Sequence, residues 1–144
     1  MEVKVINRSN NLLPEYQTEG SSGMDIRANL ENPLILNPMD RVLVPTGLYF
    51  EIPKGYEIQI RPRSGLALQH GITLLNSPAT IDSDYRGEIQ VLLINLGKEL
   101  FTIENGMRIA QLVFSKVEKV QLKMTEKIDF TIRNQNGFGH SGIK

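Results

Sequence analysis

The segment from Asn76 to Glu88 contains the densest group of polar side chains in the sequence, together with one tyrosine. An aspartate is ordinarily ionised at neutral pH and accepts a proton from a positioned water, so Asp82 is a candidate general base. The amide of Asn76 donates and accepts hydrogen bonds, as recognition of a flat base requires. Tyr85 offers an apolar face that would pack under a sugar and exclude a 2′-hydroxyl. An acidic turn with a structural tyrosine explains the same residues, and this segment alone leaves both interpretations open.

A second segment, residues 61–65 with the sequence RPRSG, has groups that suit an anion. It lies where a predicted strand meets a predicted helix, and free backbone N–H groups at the start of a helix bind anions. Arg63 and Ser64 would then lie beside a bound anion. The alternative is that Ser64 is simply the N-cap of the helix and Arg63 an exposed charge, which this segment alone favours.

Two strand-like segments each contain a polar residue with a possible role at a polyphosphate. Asp25, in SGMDIRA at residues 22–28, would accept hydrogen bonds from waters on Mg²⁺, which usually keeps several waters and binds substrate phosphates. Gln111, in GMRIAQLVF at residues 106–114, would donate to a phosphate oxygen. A turn that leads into an edge strand and a half-buried strand are the alternatives.

The C-terminal residues 131–144 are rich in glycine and asparagine and poor in apolar groups. Such a composition is typical of a mobile tail. The functional alternative is a lid whose backbone N–H groups fold over phosphates, with Arg133 as a charged clamp and Phe138 stacked on a base.

Short runs with period-two alternation, separated by Gly, Pro, Asn and Asp, predict an all-β fold such as a sandwich, a jelly roll or a distorted barrel. One segment departs from this pattern. Residues 64–71 predict one short helix, with Ser64 as its cap and Gly71 as its terminating glycine. The predicted strands are residues 3–5, 34–36, 42–44, 47–52, 56–60, 88–95, 100–103 and 107–114.

Composition limits the partners and the location. The 144 residues fit one domain, and 16 Lys and Arg balance 16 Asp and Glu, so we expect neither nucleic acid nor an anionic membrane surface as a partner. The absence of cysteine excludes disulfides and thiolate chemistry. No apolar run approaches the roughly 18 to 20 residues of a membrane span. We therefore expect a cytoplasmic protein.

Together and in this order, five segments resemble the motifs of the trimeric dUTPase family, and the resemblance runs from about Gly20 to the C-terminus. The segments are residues 22–28, 61–65, 76–88, 106–112 and 133–142. The resemblance implies a jelly-roll-like homotrimer, a distorted barrel of the β-clip type, with three active sites at subunit interfaces. It implies hydrolysis of dUTP to dUMP and pyrophosphate with Mg²⁺, which supplies dUMP for dTMP synthesis and keeps uracil out of DNA.

The resemblance also implies a role for each matching residue. Asp82 would be the base on the water that attacks the α-phosphorus, and Asp25 would contact Mg²⁺ through its waters, the ion being held mainly by phosphates and water. The residues that would contact phosphates are Arg63, Ser64, Gly65 and Gln111. Those that would surround the base and the sugar are Asn76, Thr80, Ile81 and Tyr85. Another subunit's tail, residues 131–144, would contribute Arg133, Phe138 and Gly139.

Some positions depart from the family pattern. Ala79 stands where the family usually has glycine, and its methyl group demands a negative φ or a wider approach to substrate. The tail departs from the pattern at Asn134, Asn136, His140 and Ser141. Asparagine tolerates the left-handed conformation better than most residues, so we expect the lid to close.

Two other functions would use the same scaffold. A dCTP deaminase would share the fold, but the combination of Arg63, Ser64 and Gly65 with Asp82 and Tyr85 favours the hydrolase. The presence of Asp82, Ser64, Gln111 and Arg133 argues against a trimeric nucleotide sensor without catalytic activity. Release of ammonia from dCTP, or binding of dUTP without release of pyrophosphate, would identify these alternatives.

Overall fold

The computed structural model of the chain describes residues 1–138. This part of the chain forms eleven strands and one short helix, which confirms the predicted all-β fold. In chain order the elements are β1 (Lys4–Asn7), β2 (Met24–Arg27), β3 (Leu34–Leu36), β4 (Arg41–Pro45), β5 (Leu48–Glu51), β6 (Tyr56–Arg61), α1 (Ser64–His70), β7 (Ile72–Leu74), β8 (Ala79–Ile81), β9 (Gln90–Asn95), β10 (Phe101–Ile103) and β11 (Arg108–Lys116).

All strand pairs are antiparallel, and they form four small sheets around one hydrophobic core. The strand orders are β2-β11-β6-β8, β4-β9-β7, β1-β5 and β10-β3. Neighbours such as β2 and β11 are far apart in the chain, so the sheets join segments that local sequence patterns cannot pair. Ile58, Ile60, Leu93 and Leu112 are fully buried in the core.

The sheet β2-β11-β6-β8 has one apolar and one polar face. Ile58 and Ile60 point into the core from alternate positions of β6, so Glu57, Gln59 and Arg61 project from the opposite face. Residues paired across antiparallel strands share a face. Gln111 and Thr80 pair with residues on this face of β6, and Asp25 pairs with Gln111. The polar face therefore also includes Asp25, Gln111 and Thr80.

The predicted helix is confirmed, but its predicted cap is wrong. Arg63 occupies the N-cap position with an extended backbone (φ −90°, ψ 125°), its carbonyl accepts from Ala67 N, and no side chain caps the helix. Ser64 is the first helical residue instead, because Arg63 O already accepts the first helical hydrogen bond. Gly71 ends the helix at φ 68°, as predicted. The helix has seven residues, and no helix within residues 1–138 is long and apolar enough to cross a membrane.

Candidate active site

Asp82 lies at the end of β8, at the wall of an open cavity of about 300 Å³ that we call the Asp82 cavity. Its lining contains four of the residues predicted to surround a substrate, together with three that were not predicted. The lining residues are Leu43, Thr80, Ile81, Asp82, Tyr85, Glu88 and Gln90. A carboxylate, a tyrosine ring and an aliphatic surface therefore meet in one concave site.

Tyr85 is held at the cavity by the turn that follows Asp82. Its amide donates to Asp82 O over 3.1 Å, and its hydroxyl donates to Glu88 O over 3.1 Å. Arg86 Nη1 donates to Ser83 O and Tyr85 O at 2.7 and 2.9 Å, which closes the turn. The ring is thus fixed from both ends although 44% of the residue surface is exposed.

Gly87 provides the space that the Tyr85 ring occupies. A Cβ at this position would lie 2.5 Å from Cζ of Tyr85 and even closer to its hydroxyl oxygen. Any residue other than glycine would therefore push the ring away. Gly87 was not predicted from the sequence as a site residue, and the available signal was a glycine two residues after the only aromatic of the segment.

Four side chains from distant segments meet at the other end of the polar face and form what we call the arginine cluster: Asp25, Arg63, Arg108 and Gln111. Arg63 Nε donates to Asp25 Oδ1 over 3.0 Å, and Arg108 Nη1 lies 3.5 Å from Asp25 Oδ2. Arg63 Nη1 also donates to Arg108 O over 3.2 Å. The cluster combines three of the residues predicted at a polyphosphate with Arg108, to which the sequence analysis assigned no role.

Gln111 crosses the sheet within this cluster. Its Nε2 donates to Pro62 O over 3.1 Å, which ties β11 to the turn before Arg63. Its Oε1 lies where a Cβ on Gly23 would be, so Gly23 leaves room for the amide. The amide oxygen and one N–H of Gln111 remain for other partners.

The remaining predicted residues lie around these two groups. Ser64 and Gly65 are exposed in the first turn of α1, and a Cβ on Gly65 would meet no atom within 4 Å. Asn76 is exposed in the bend after β7 and is not part of the lining of the Asp82 cavity.

Ala79 does not face this site. Ala79 lies on β8 and pairs with Ile60 of β6. It is half-buried and packs against the core, so its methyl group lies on the apolar face of the sheet. Its φ is not positive, since the only residues other than glycine with positive φ in residues 1–138 are Met39 and Asn134. The backbone condition that an alanine imposes here is met, and the methyl group does not widen the approach to the cavity.

The Asp82 cavity and the arginine cluster are far apart in one chain. Following the strand pairing to β6, Asp82 is level with residue 57 and Asp25 is level with residue 61. Four residues along a strand and three steps between strands correspond to about 13 Å and about 14 Å, so the two carboxylates lie roughly 20 Å apart.

The described residues do not form a metal site of their own. Within residues 1–138, no three His, Asp or Glu side chains come together as metal ligands. Asp25 nevertheless suits contact with a hydrated ion, because an ionised carboxylate has about four lone-pair positions. Arg63 and Arg108 occupy one position on each oxygen. This arrangement fits Mg²⁺ that is held by phosphates and water.

The predicted lid makes no hydrogen bond or ion pair with either group in residues 131–138. Arg133 Nε donates to Asn136 O over 3.0 Å, and Phe138 is fully exposed. Asn134 adopts a positive φ of 44°, a conformation that asparagine tolerates. Gly139, and with it His140 and Ser141, lies outside the described residues.

The segment before the lid has an apolar face that was not recognised in the sequence. Its apolar residues alternate with polar ones at a period of two, interrupted only by Glu126, and such alternation is typical of a strand. No strand or helix forms here in the single chain, and these side chains are 80–105% exposed. They are Val120, Leu122, Met124, Ile128, Phe130 and Ile132.

Comparison with known proteins gives a consistent result. The model of the dUTPase family matches residues 9–142. A deoxyuridine 5′-triphosphate nucleotidohydrolase of Finegoldia magna is 57% identical over 142 residues, 99% of both chains. One of Treponema denticola is 56% identical over 143 residues, again 99% of both chains, and one of Chlamydia pneumoniae is 59% identical over 131 residues, 90% of both.

Solved structures show the same fold at lower identity. The dUTPase of Staphylococcus bacteriophage 80alpha, solved with dUpNHpp, superimposes with a TM-score of 0.85 at 24% identity and covers 99% of both chains. The dUTPase of phage phi11 of S. aureus, described with a structural Mg(II) ion, superimposes with a TM-score of 0.80 at 20% identity, over 90% of this chain and 100% of that one.

Proposed function

The chain belongs to the dUTPase family and is a dUTP-hydrolysing enzyme, and we propose that Asp82 activates the water that attacks the α-phosphorus to give dUMP and pyrophosphate. The observation that carries this proposal is the position of Asp82 at the wall of the Asp82 cavity beside Tyr85. By this reaction the enzyme would supply dUMP for dTMP synthesis and keep uracil out of DNA. Its cytoplasmic location stays a prediction.

The chemistry of the site supports this role for Asp82. Its side chain makes no hydrogen bond with the described residues, so both carboxylate oxygens are available to a water. A carboxylate within hydrogen-bond reach of that water takes its proton as the oxygen attacks phosphorus, and no covalent intermediate is required. Tyr85 would hold the deoxyribose against its ring, and Asn76, Thr80 and Ile81 would bind the uracil with side-chain and main-chain groups.

The arginine cluster would hold the polyphosphate. Arg63 has further N–H donors besides those that contact Asp25 and Arg108 O, and Gln111 retains an N–H. Ser64 and Gly65 would add the hydroxyl and backbone N–H groups of the first turn of α1. Guanidinium groups bind phosphate oxygens through paired hydrogen bonds and offset the charge that develops on the pyrophosphate leaving group.

Mg²⁺ fits this arrangement as a component held by the phosphates and by water. Asp25 would accept hydrogen bonds from the waters around the ion, while Arg63 and Arg108 keep the carboxylate oriented. When bound, the ion would supply charge neutralisation at the phosphates.

We further propose that the enzyme is a homotrimer whose active sites combine Asp82 of one subunit with the arginine cluster of another. Asp82 and Asp25 would each contact the substrate through one water, and each such contact spans about 5.5 Å. Together the two contacts cover only about half of the roughly 20 Å between the two carboxylates. The remaining distance exceeds the spacing of neighbouring phosphates. The two carboxylates of one chain would therefore serve two different substrates, whereas those of adjacent subunits would serve one.

The exposed apolar face at residues 120–132 supports association. Six large apolar side chains at alternate positions are exposed in the single chain, and burying each would contribute about 1.5 to 3 kcal/mol. This segment would pack on an adjacent subunit and bring Arg133, Phe138 and Gly139 to that subunit's neighbouring site. The lid of residues 131–144 would close there over the substrate.

The test of this proposal is pyrophosphate release from dUTP, UTP, dTTP and dCTP, with and without Mg²⁺. We expect rapid release from dUTP alone, and only with Mg²⁺. Comparable rates with UTP would contradict the role of Tyr85, and comparable rates with dCTP would contradict the base contacts. Ammonia release from dCTP would identify a deaminase, and dUTP binding without turnover would identify a sensor.

A further inference from the structure

Three side chains form a row of hydrogen bonds along the polar face of β6, which we call the β6 row. Arg61 donates to Gln59 Oε1 from Nη2 and Nε at 2.6 and 3.1 Å, and Gln59 Nε2 donates to Glu57 Oε1 over 2.6 Å. The neutral amide thus joins a cation to an anion. This arrangement fixes the orientation of the amide, because its oxygen must face the guanidinium and its nitrogen the carboxylate.

The β6 row ends directly beside the arginine cluster. Arg61 pairs with Gln111, and Gln111 pairs on its other side with Asp25. Paired residues on one face of a sheet have Cβ atoms about 5 Å apart. Arg61 therefore lies one strand spacing from Gln111, and its guanidinium is directed along β6 toward Gln59.

The charge of Arg61 is less compensated than the charges of its neighbours. Arg63 and Arg108 both lie within ion-pair distance of Asp25, whereas Arg61 has no carboxylate within that distance in residues 1–138. Gln59 engages two of the five guanidinium N–H donors of Arg61, and the others face away from the amide. The free donors of an exposed guanidinium have the geometry that pairs with phosphate oxygens.

From these observations we propose that Arg61 is a further phosphate-binding residue of the enzyme, and that Gln59 and Glu57 are the positioning residues that hold it. Because Arg61 is level with Asp25 and not with Asp82, it contacts the phosphates that leave as pyrophosphate. The inference rests on the proposed function and names one more group on the substrate.

The experiment compares two ligands that differ only in the leaving phosphates. The Kd values of a non-hydrolysable dUTP analogue and of dUMP are measured with the full-length chain and its Arg61→Gln variant. We expect Arg61→Gln to weaken the analogue about ten- to a hundredfold and to leave dUMP within about twofold, since a lost charge-assisted hydrogen bond has this magnitude. In turnover, KM for dUTP should rise more than kcat falls.

Further variants separate positioning from charge. Arg61→Lys keeps the charge and should recover part of the affinity, whereas Gln59→Met keeps Arg61 but removes its support and should lose a smaller part. Arg41→Gln removes an exposed arginine of β4, on another sheet, and is the matched control that should bind both ligands as the unmodified chain does.

Two results would overturn the inference. Arg61→Gln that binds the analogue normally would show that Arg61 does not touch substrate, and equal weakening of the analogue and dUMP would show a structural role. Gln59→Met with normal affinity would remove the positioning role. Hydrolysis of dUTP by the unmodified chain is measured alongside these variants. If it occurs, the proposed function stands whatever the variants show. If it does not occur, the proposed function is rejected.

Discussion

Mixed trimers of two inactive variants would test whether the active site is shared between subunits. Asp82→Asn removes the proposed base and keeps the arginine cluster, whereas Arg63→Gln removes a phosphate-binding cation and keeps the base. Neither substitution touches the core, since Asp82 is exposed and Arg63 lies at the surface with 31% of its side chain exposed. Each homotrimer should therefore fold and be nearly inactive.

The roughly 20 Å between Asp82 and Asp25 gives the expected magnitude. If every site takes its base from one subunit and its arginine cluster from the next, a mixed trimer of either composition contains one intact site, about one third of the total by rotational symmetry. Loss of a positioned base costs about two to four orders of magnitude in rate. Mixed trimers should then be at least about thirtyfold more active than the Asp82→Asn homotrimer.

The assay is co-expression of the two variants with different affinity tags, purification of trimers that have both, and measurement of pyrophosphate release from dUTP. Mixing the separately purified homotrimers without subunit exchange is the control and should give only the sum of the residual activities. Mixed trimers no more active than this control would refute the shared site and would place the base and the cluster of one chain on one substrate.

Three other substitutions or truncations test single parts of the site. Asp82→Asn should keep dUTP binding while kcat falls by at least about a hundredfold, and near-normal kcat would reject Asp82 as the base. Removal of residues 133–144 should leave a folded trimer with poor hydrolysis, whereas full activity would reject the lid. Gly87→Ala should displace the Tyr85 ring and raise KM for dUTP. The free energy of unfolding, measured with denaturant, should change by less than about 1 kcal/mol because the turn is at the surface. Unchanged KM would mean that the ring position is not needed.

Local sequence patterns were sufficient for most of the fold. Period-two alternation located the longer strands, among them β6, β9 and β11, and Gly71 marked the end of the helix. The three-residue strands β7 and β8 were not among the predicted strands, because strands so short show too little alternation. The cap of α1 was misplaced by one residue, because the first helical hydrogen bond is accepted by Arg63 O and the capping preference of Ser64 does not determine that backbone geometry.

The sequence motifs named candidate site residues but not their arrangement. Thr80, Ile81, Asp82 and Tyr85 line one cavity, as their closeness in sequence suggests. Gly87 and Arg108 were not assigned a role, because a missing Cβ and a second arginine on Asp25 matter only once the neighbouring atoms are known. The apolar residues at 120–132 could have been recognised from their alternation with polar residues. The glycine-rich composition of the residues after them directed the prediction to a mobile tail instead.

The sequence by itself determined which chemistry was available: a carboxylate beside a tyrosine, arginines and an amide in separate segments, and a family resemblance that gave each a role. Only the tertiary structure decided which of these groups meet. Antiparallel pairing of β2, β11 and β6 places Asp25, Gln111 and Arg61 side by side across the strands. Asp82 lies at the opposite corner of the same sheet. Pairing between strands distant in the chain depends on the burial of their shared apolar face. The sequence of one strand therefore does not identify the strand with which it pairs.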